Sequence, residues 1–229
     1  AAVEALRRRL LDMFAGWGYQ LVAPPLIEFL ESLLNGAGRD LERDTFKLTD
    51  QLSGRMMGVR ADITPQVARM DAHSLRREGP VRLCYCSTAL RARNGQAGHS
   101  RLPYQIGVEL FGHAGLESDA EVTGLLLDAL ALAGMQTVTL ELGHVGIFRA
   151  LVSAAGFNAE DEETLSDICQ RKSIPELNAF LAARQLPPSL AGLLARLPRL
   201  CGEASLLAEV RPSLAGYPAA LAALDELER

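Results

Sequence analysis

Between Arg101 and Leu110 the side chains alternate. Leu102, Tyr104, Ile106, Val108 and Leu110 fall on one side, and Arg101, Pro103, Gln105, Gly107 and Glu109 on the other. Successive strand residues point to opposite faces, so this is a strand with one apolar face on a core and one polar face. The polar face carries a glycine, which lets a ligand approach the backbone closely. Gln105 and Glu109 share that face, about 13 Å apart along the strand at the usual rise.

The rest of the chain supplies elements to pack around such a strand. Val3, Leu6, Leu10 and Phe14 recur at helical spacing, and Gly16 and Gly18 end that helix. Residues 18–22 read as a short strand running into Pro24-Pro25, and Leu26 to Leu34 as a short helix. Thr45 to Leu48 and Met56 to Arg60 form a hairpin around Ser53-Gly54. Thr64-Pro65 opens a helix, with Thr64 as cap and Pro65 in the first turn. Val81 to Leu90 is the next strand. Ser118 and Glu121 form a capping box for a long helix ending at Gly134, and Thr137 to Leu142 is a further strand. After Phe148 the character changes to short helical runs broken by Gly156, Pro175, Pro187-Pro188, Pro198, Gly202, Pro212 and Pro218. The expectation is an α+β fold, a mostly antiparallel sheet flanked by helices over residues 1–148, followed by an all-helical appendage or insertion over 149–229.

Composition narrows the function classes. Hydrophobic residues make up 48% and charged residues 22%, the balance of a soluble globular protein. The net charge of -5 gives no general pull toward nucleic acid. No apolar run is long enough to span a bilayer, and no signal peptide is visible, so a cytoplasmic location is expected. Cys84, Cys86, Cys169 and Cys201 form no Cys-x-x-Cys pair and lie at no zinc spacing to histidines, so free thiols are expected and no metal or cofactor.

The polar strand face permits two readings. Gln105, Glu109, Asp62, Thr64 and Arg91 bring two carboxylates, an amide, a hydroxyl and a guanidinium. Together these suit a zwitterionic amino acid, with carboxylates for its ammonium and arginine for its carboxylate. The other reading is a solvated sheet face with ordinary cross-strand pairs. The loop Arg91 to Arg101, with three arginines and two glycines, is either an anion site or an exposed hairpin loop. His73 and His144 stand alone and read as structural, and no catalytic constellation is assembled.

At this point a family pattern emerges. Gly18-Tyr19 through Pro24-Pro25-Leu26-Ile27-Glu28 resembles motif 1 of the class II aminoacyl-tRNA synthetases. Val59-Arg60-Ala61-Asp62-Ile63-Thr64 resembles the histidyl-tRNA synthetase stretch Leu-Arg-Pro-Glu-Gly-Thr. Ala89-Leu90-Arg91 with Arg101 to Gly112 resembles motif 2. The resemblance runs from the first helix to Phe148 and points to the histidyl branch. It implies that Glu109 recognises an imidazole, that Asp62, Thr64 and Gln105 hold the ammonium, and that Arg91 holds the carboxylate.

On the amino-acid side Asp62 replaces Glu with the same charge; the departures that change the chemistry lie on the ATP side. The motif 2 Glu that reads the adenine amino group is Arg93 here, a donor that cannot accept from an amine. The ring that stacks on adenine is Pro103, and a loop Arg that meets ATP phosphate is His99. An amino-acid pocket kept beside an altered ATP pocket resembles the regulatory paralogues of the synthetase. Those pair with a short-form ATP phosphoribosyltransferase catalytic subunit in the first step of histidine biosynthesis. The resemblance implies a non-catalytic subunit, a homodimer within a hetero-oligomer, and L-histidine as effector. Leu142-Gly143-His144-Val145-Gly146 also looks like this group. The family's later Arg-Gly-Tyr, Gly-Gly-Arg-Tyr-Asp and motif 3 stretches do not occur, so the pocket is expected to be incomplete within residues 1–229. The competing readings are a divergent histidyl-tRNA synthetase and a module that binds tRNA or protein.

Overall fold

The computed structural model describes residues 1–35, 39–93 and 100–229. Helix α1 (Ala2–Gly16) buries Leu10 and Phe14 and stops at Trp17. Gly18 follows at φ +84°, a left-handed turn that glycine adopts without a Cβ penalty. The turn feeds β1 (Gln20–Leu21), which runs parallel to β5 (Val81–Thr88). Strand β6 (Tyr104–Phe111) pairs antiparallel on the other side of β5, giving the order β1-β5-β6.

The expected strand starts only at Tyr104, and Leu102 and Tyr104 are 56% and 50% exposed, so the alternation is realised in packing from Ile106 on. Ile106 and Val108 lie against Phe14, Tyr19, Cys84 and Leu125, where α1 and α5 (Leu116–Leu132) cover the sheet. On the opposite face, Val81, Leu83 and Tyr85 pack with Ile63 and Val67 of the segment that opens α4 (Thr64–Arg69). Gln105, Gly107 and Glu109 share this second face with Tyr85, because Tyr85 pairs with Gly107 in the ladder.

A second, antiparallel sheet has the order β2-β4-β3, from β2 (Ile27–Phe29), β4 (Met56–Val59) and β3 (Phe46–Thr49). The expected hairpin is present. Its turn is held by Asp50, which accepts from Ser53 Oγ and from the amides of Leu52 and Ser53. The short helices α2 (Leu30–Leu33) and α3 (Arg39–Asp44) flank this sheet.

Several expectations need correction. The segment Leu26 to Leu34 is not one helix: residues 27–29 pair with β4 before α2 begins. Thr64 does not cap α4. Asp62 Oδ1 accepts from the Thr64 amide at 3.1 Å instead, which frees the Thr64 hydroxyl for the site described below. The Ser118–Glu121 capping box does not form. Helix α5 starts at Leu116, Ser118 Oγ bonds His113 at 2.7 Å, and Glu121 takes hydrogen bonds from Tyr19 and Arg82. That bidentate arginine, with Tyr19, holds the Glu121 carboxyl down at about 2 and clamps α5 to β5 and the start of β1. Thr137 to Leu142 has the alternation of a strand but no ladder partner among the described residues. Val138, Leu140 and Leu142 remain 40%, 42% and 64% exposed.

The chain packs as two units, Ala1–Val138 and Thr139–Arg229. The second contains helices α6 (Val145–Ala154), α7 (Ala159–Gln170), α8 (Ile174–Ala182), α9 (Pro188–Arg196), α10 (Ser205–Val210) and α11 (Pro218–Glu228), with no strand. Prolines in the first turns of α8, α9 and α11 explain their starts, since a proline lacks only an amide that would be unpaired there anyway. Leu151, Leu165, Leu177, Leu194, Leu214 and Leu224 make its core. Residues 139–148, placed with the sheet domain on sequence grounds, fall within this unit, and Ile147 and Phe148 pack on its core. His144 caps α6 through Nδ1, which accepts from the Gly146 amide, while Nε2 bonds Glu226 at 2.8 Å. Among the described residues no helix is long and apolar enough to cross a membrane.

Candidate functional site

The site is assembled at the corner where β4 leaves the second sheet and α4 begins. Arg60 fixes that corner. It is 2% exposed, and its guanidinium donates to Thr88 O at 2.9 Å, Pro24 O at 2.7 Å and Ser87 Oγ at 2.6 Å. Its amide donates to Leu26 O and its carbonyl accepts from the Leu90 amide. Burial pushes the Arg60 pKa down, partly offset by Glu28, and neutral acceptors meet each of its three nitrogens. Pro24-Pro25, the end of β5 and the Asp62–Thr64 turn are thereby locked to one side chain.

Four of the five site residues meet around a sixth side chain. Gln105 Nε2 donates to Asp62 Oδ1 at 2.9 Å and to the Tyr85 hydroxyl at 3.3 Å. Tyr85 donates to Glu109 Oε1 at 3.4 Å, and its oxygen stands 3.1 Å from Thr64 Oγ1. Asp62, Thr64, Gln105 and Glu109 therefore form one polar cluster on the β6 face, rather than scattered cross-strand pairs. Gln105 Oε1 is buried and accepts no hydrogen bond among the described residues. Such an orphan acceptor is costly unless a donor reaches it, which suits a ligand bearing N–H groups.

The electrostatics fit the same ligand type. Burial raises the Glu109 pKa, and the Asp62 charge adds to the rise, while hydrogen bonds from Thr64 and Tyr85 oppose it. A half-desolvated carboxylate with a like-charged neighbour gains most from a cationic or N–H-bearing partner.

Arg91 is the exception. Its backbone bridges Thr45 and its amide donates to Arg101 O, but its side chain is exposed and not joined to the cluster. Arg93 Nε donates to Asp44 Oδ1 at 3.0 Å, and the carbonyl of Pro103 accepts from the Ala89 amide. Arg101 donates to Arg91 O and lies 4.9 Å over the ring of Phe46. The loop residues 94–99, including His99, lie outside the described residues. All four cysteines are free, and burial raises the Cys84 thiol to about 11. No group of histidine, cysteine and acidic residues that could hold a metal occurs among the described residues.

Tyr85 escaped the sequence reading. Its only signal was its place on β5 with Leu83 and Ser87, and its role depends on a cross-strand register that spacing alone does not reveal.

Known proteins resemble this chain over nearly its whole length. A curated relative from Chromohalobacter salexigens, named ATP phosphoribosyltransferase regulatory subunit, is 56% identical over 227 residues, 99% of this chain and 58% of the relative. The chain thus spans 58% of the length of that relative. A solved structure from Bacillus halodurans, described as an ATP phosphoribosyltransferase regulatory subunit/histidyl-tRNA synthetase, matches with TM-score 0.85 at 28% identity. That match covers 98% of this chain and 58% of the other. Histidyl-tRNA synthetase from Nostoc sp. PCC 7120 shares the fold, with TM-score 0.75 at 14% identity over 98% of this chain and 52% of the other. This is the class II synthetase-type fold that the resemblance implied, and it fits the α+β class expected from the order of helices and strands. A family model described as histidyl-tRNA synthetase matches residues 1–229, and with that match over the whole sequence the chain belongs to the histidyl-tRNA synthetase family.

Proposed function

We propose that the protein containing this chain is the regulatory subunit of ATP phosphoribosyltransferase, not an aminoacylating enzyme. In this reading it pairs with a short-form catalytic subunit, is required for turnover in the first step of histidine biosynthesis, and carries feedback inhibition by L-histidine. One contrast supports it above all. The Asp62–Thr64–Gln105–Glu109 cluster is assembled, while Arg93 is a cation ion-paired to Asp44 where a synthetase needs an acceptor for adenine. Glu109 takes the imidazole, and Asp62, Thr64 and Gln105 take the ammonium. Arg91, exposed in this structure, swings in to the carboxylate. The subunit works in the cytoplasm as a homodimer within a hetero-oligomer, with no bound cofactor.

The experiment is to add the full-length protein to a short-form phosphoribosyltransferase and measure turnover with and without histidine. Stimulated turnover that histidine suppresses is expected; a catalytic subunit indifferent to the protein would overturn the reading. A tRNA-binding role finds little support in charge, since residues 139–229 carry more acidic than basic side chains and Arg171, Arg184 and Arg211 are ion-paired.

A further inference from the structure

The hydrogen-bond directions within the cluster are fixed by what each group can do. A glutamine amide nitrogen only donates, so the Tyr85 oxygen accepts from Gln105 Nε2 at 3.3 Å. An ionised carboxylate only accepts, so the phenolic proton goes to Glu109 Oε1 at 3.4 Å. The Thr64 hydroxyl, 3.1 Å from the same phenol, completes its shell. The other amide proton of Gln105 goes to Asp62 Oδ1 at 2.9 Å. Every donor of Gln105 and Tyr85 is consumed inside the cluster. What remains is acceptor capacity: the buried Gln105 Oε1 and the further lone pairs of Asp62 and Glu109.

We propose that Tyr85 is the specificity-determining positioning residue of this pocket, fixing a donor order that runs from Gln105 through Tyr85 to Glu109 and leaves only acceptors for the ligand. This rests on the reading of the cluster as a histidine pocket. The site then selects side chains that present a ring N–H and rejects rings of the same size that lack one, because those shield Glu109 from water without giving its remaining lone pairs a donor. Gly107 is the second half of the device. Tyr85 pairs with Gly107 across the ladder, and its ring lies over that glycine. A Cβ at position 107 would stand 2.5 Å from the Tyr85 hydroxyl and 2.7 Å from Cζ. Only a residue without a side chain leaves room for the phenol to pass between Gln105 and Glu109. Tyr85 is 4% exposed, and burial raises its pKa, which keeps the proton on the phenol.

The test is calorimetric titration of the full-length protein with L-histidine and with 3-(2-thienyl)-L-alanine, a five-membered-ring analogue without a ring N–H. For the wild type, histidine should bind at least tenfold more tightly than the analogue. Tyr85→Phe removes one oxygen from a packed ring. It should weaken histidine by roughly tenfold or more while leaving the analogue nearly unchanged, so the ratio collapses. Gly107→Ala, which displaces the phenol without deleting it, should collapse the ratio in the same way. A variant that lost both ligands alike, or that kept the wild-type ratio, would overturn the specificity role alone. A wild type that did not bind histidine would overturn the pocket reading as well.

Discussion

Arg93 and Asp44 form an ion pair, Nε to Oδ1 at 3.0 Å, that ties the chain after β5 back to the end of α3. The Ala92 amide reinforces it by donating to Asp44 O at 2.7 Å. A guanidinium held here can donate to adenine ring nitrogens but cannot accept from the exocyclic amine. Pro103 adds no aromatic face on which a base could stack. The full-length protein should therefore form no histidyl-adenylate at ordinary ATP concentrations, read by histidine-dependent pyrophosphate exchange. Exchange at the rate of an ordinary synthetase would contradict this account.

Glu109 provides a pH signature with a definite sign. Burial holds its folded pKa above the ordinary value of 4.5, with Asp62 contributing in the same direction. Between those two values the folded protein binds a proton that the unfolded chain has released. Stability contributed at this site is therefore lost as pH rises through that window and stays lost above it. Glu109→Gln keeps the shape and an acceptor for Tyr85 but removes the charge. The variant should melt higher than wild type at pH 7, and the difference should vanish below pH 4.5. The same substitution should weaken histidine by roughly tenfold to a hundredfold, since a hydrogen bond to a charged group is lost. Equal melting temperatures at pH 7 would show that the carboxylate is not strained by its setting.

Gly58 tests the second sheet. A Cβ there would lie 2.8 Å from Leu33 Cδ2, 2.9 Å from Thr45 Cγ2 and 3.1 Å from Leu30 Cδ1. Three side chains close on one point, so none can yield without pressing on another. Gly58→Ala should destabilise the first unit by about 1–3 kcal/mol, as overpacked cores do. Thermal unfolding followed by circular dichroism reads this directly, and an unchanged midpoint would mean that α2 shifts freely over β4.

The parts of the site legible in the sequence are those set by local rules. The period of two in β6 placed Gln105 and Glu109 on one face, and the packing of Ile106 and Val108 on the other side bears this out. The Asp62–Thr64 corner was legible as a motif, although the Thr64 hydroxyl turned out to serve Tyr85 rather than a helix end. What escaped depends on register or on a competing partner. Tyr85 matters because it faces Gly107 across the ladder. Glu121 looked like a capping residue, but a bidentate arginine and a phenol outweigh one backbone amide. Residues 27–29 read as helix because Leu26 to Leu34 is too short for period alone to separate helix from strand. Arg91 marks the limit of motif reasoning, since a matching residue type does not fix where an exposed side chain points.

The segment that resembles motif 1 is where self-association is expected. Within Gly18 to Glu28, Val22 packs against the core while Leu21, Leu26 and Ile27 remain 54%, 44% and 41% exposed. The apolar character continues across the sheet, where Ile27, Val59 and Phe46 stand in register beside Phe29, Met57 and Leu48. One apolar sheet face left partly open is unusual for a monomer and is what a two-fold contact would bury. Pro24-Pro25 ends the ladder on this side, so the contact would be made by side chains rather than by adding a strand. The full-length protein should run as a dimer at micromolar concentration in light scattering. Leu26→Asp is the discriminating variant. In a lone subunit the new carboxylate sits in water and costs little, whereas in a dimer it is buried without a partner. The variant should keep the wild-type circular dichroism spectrum, scatter as a monomer, and fail to stimulate the catalytic subunit. A wild-type protein that was monomeric at micromolar concentration, or a Leu26→Asp variant that remained dimeric, would place the two-fold contact elsewhere or remove it.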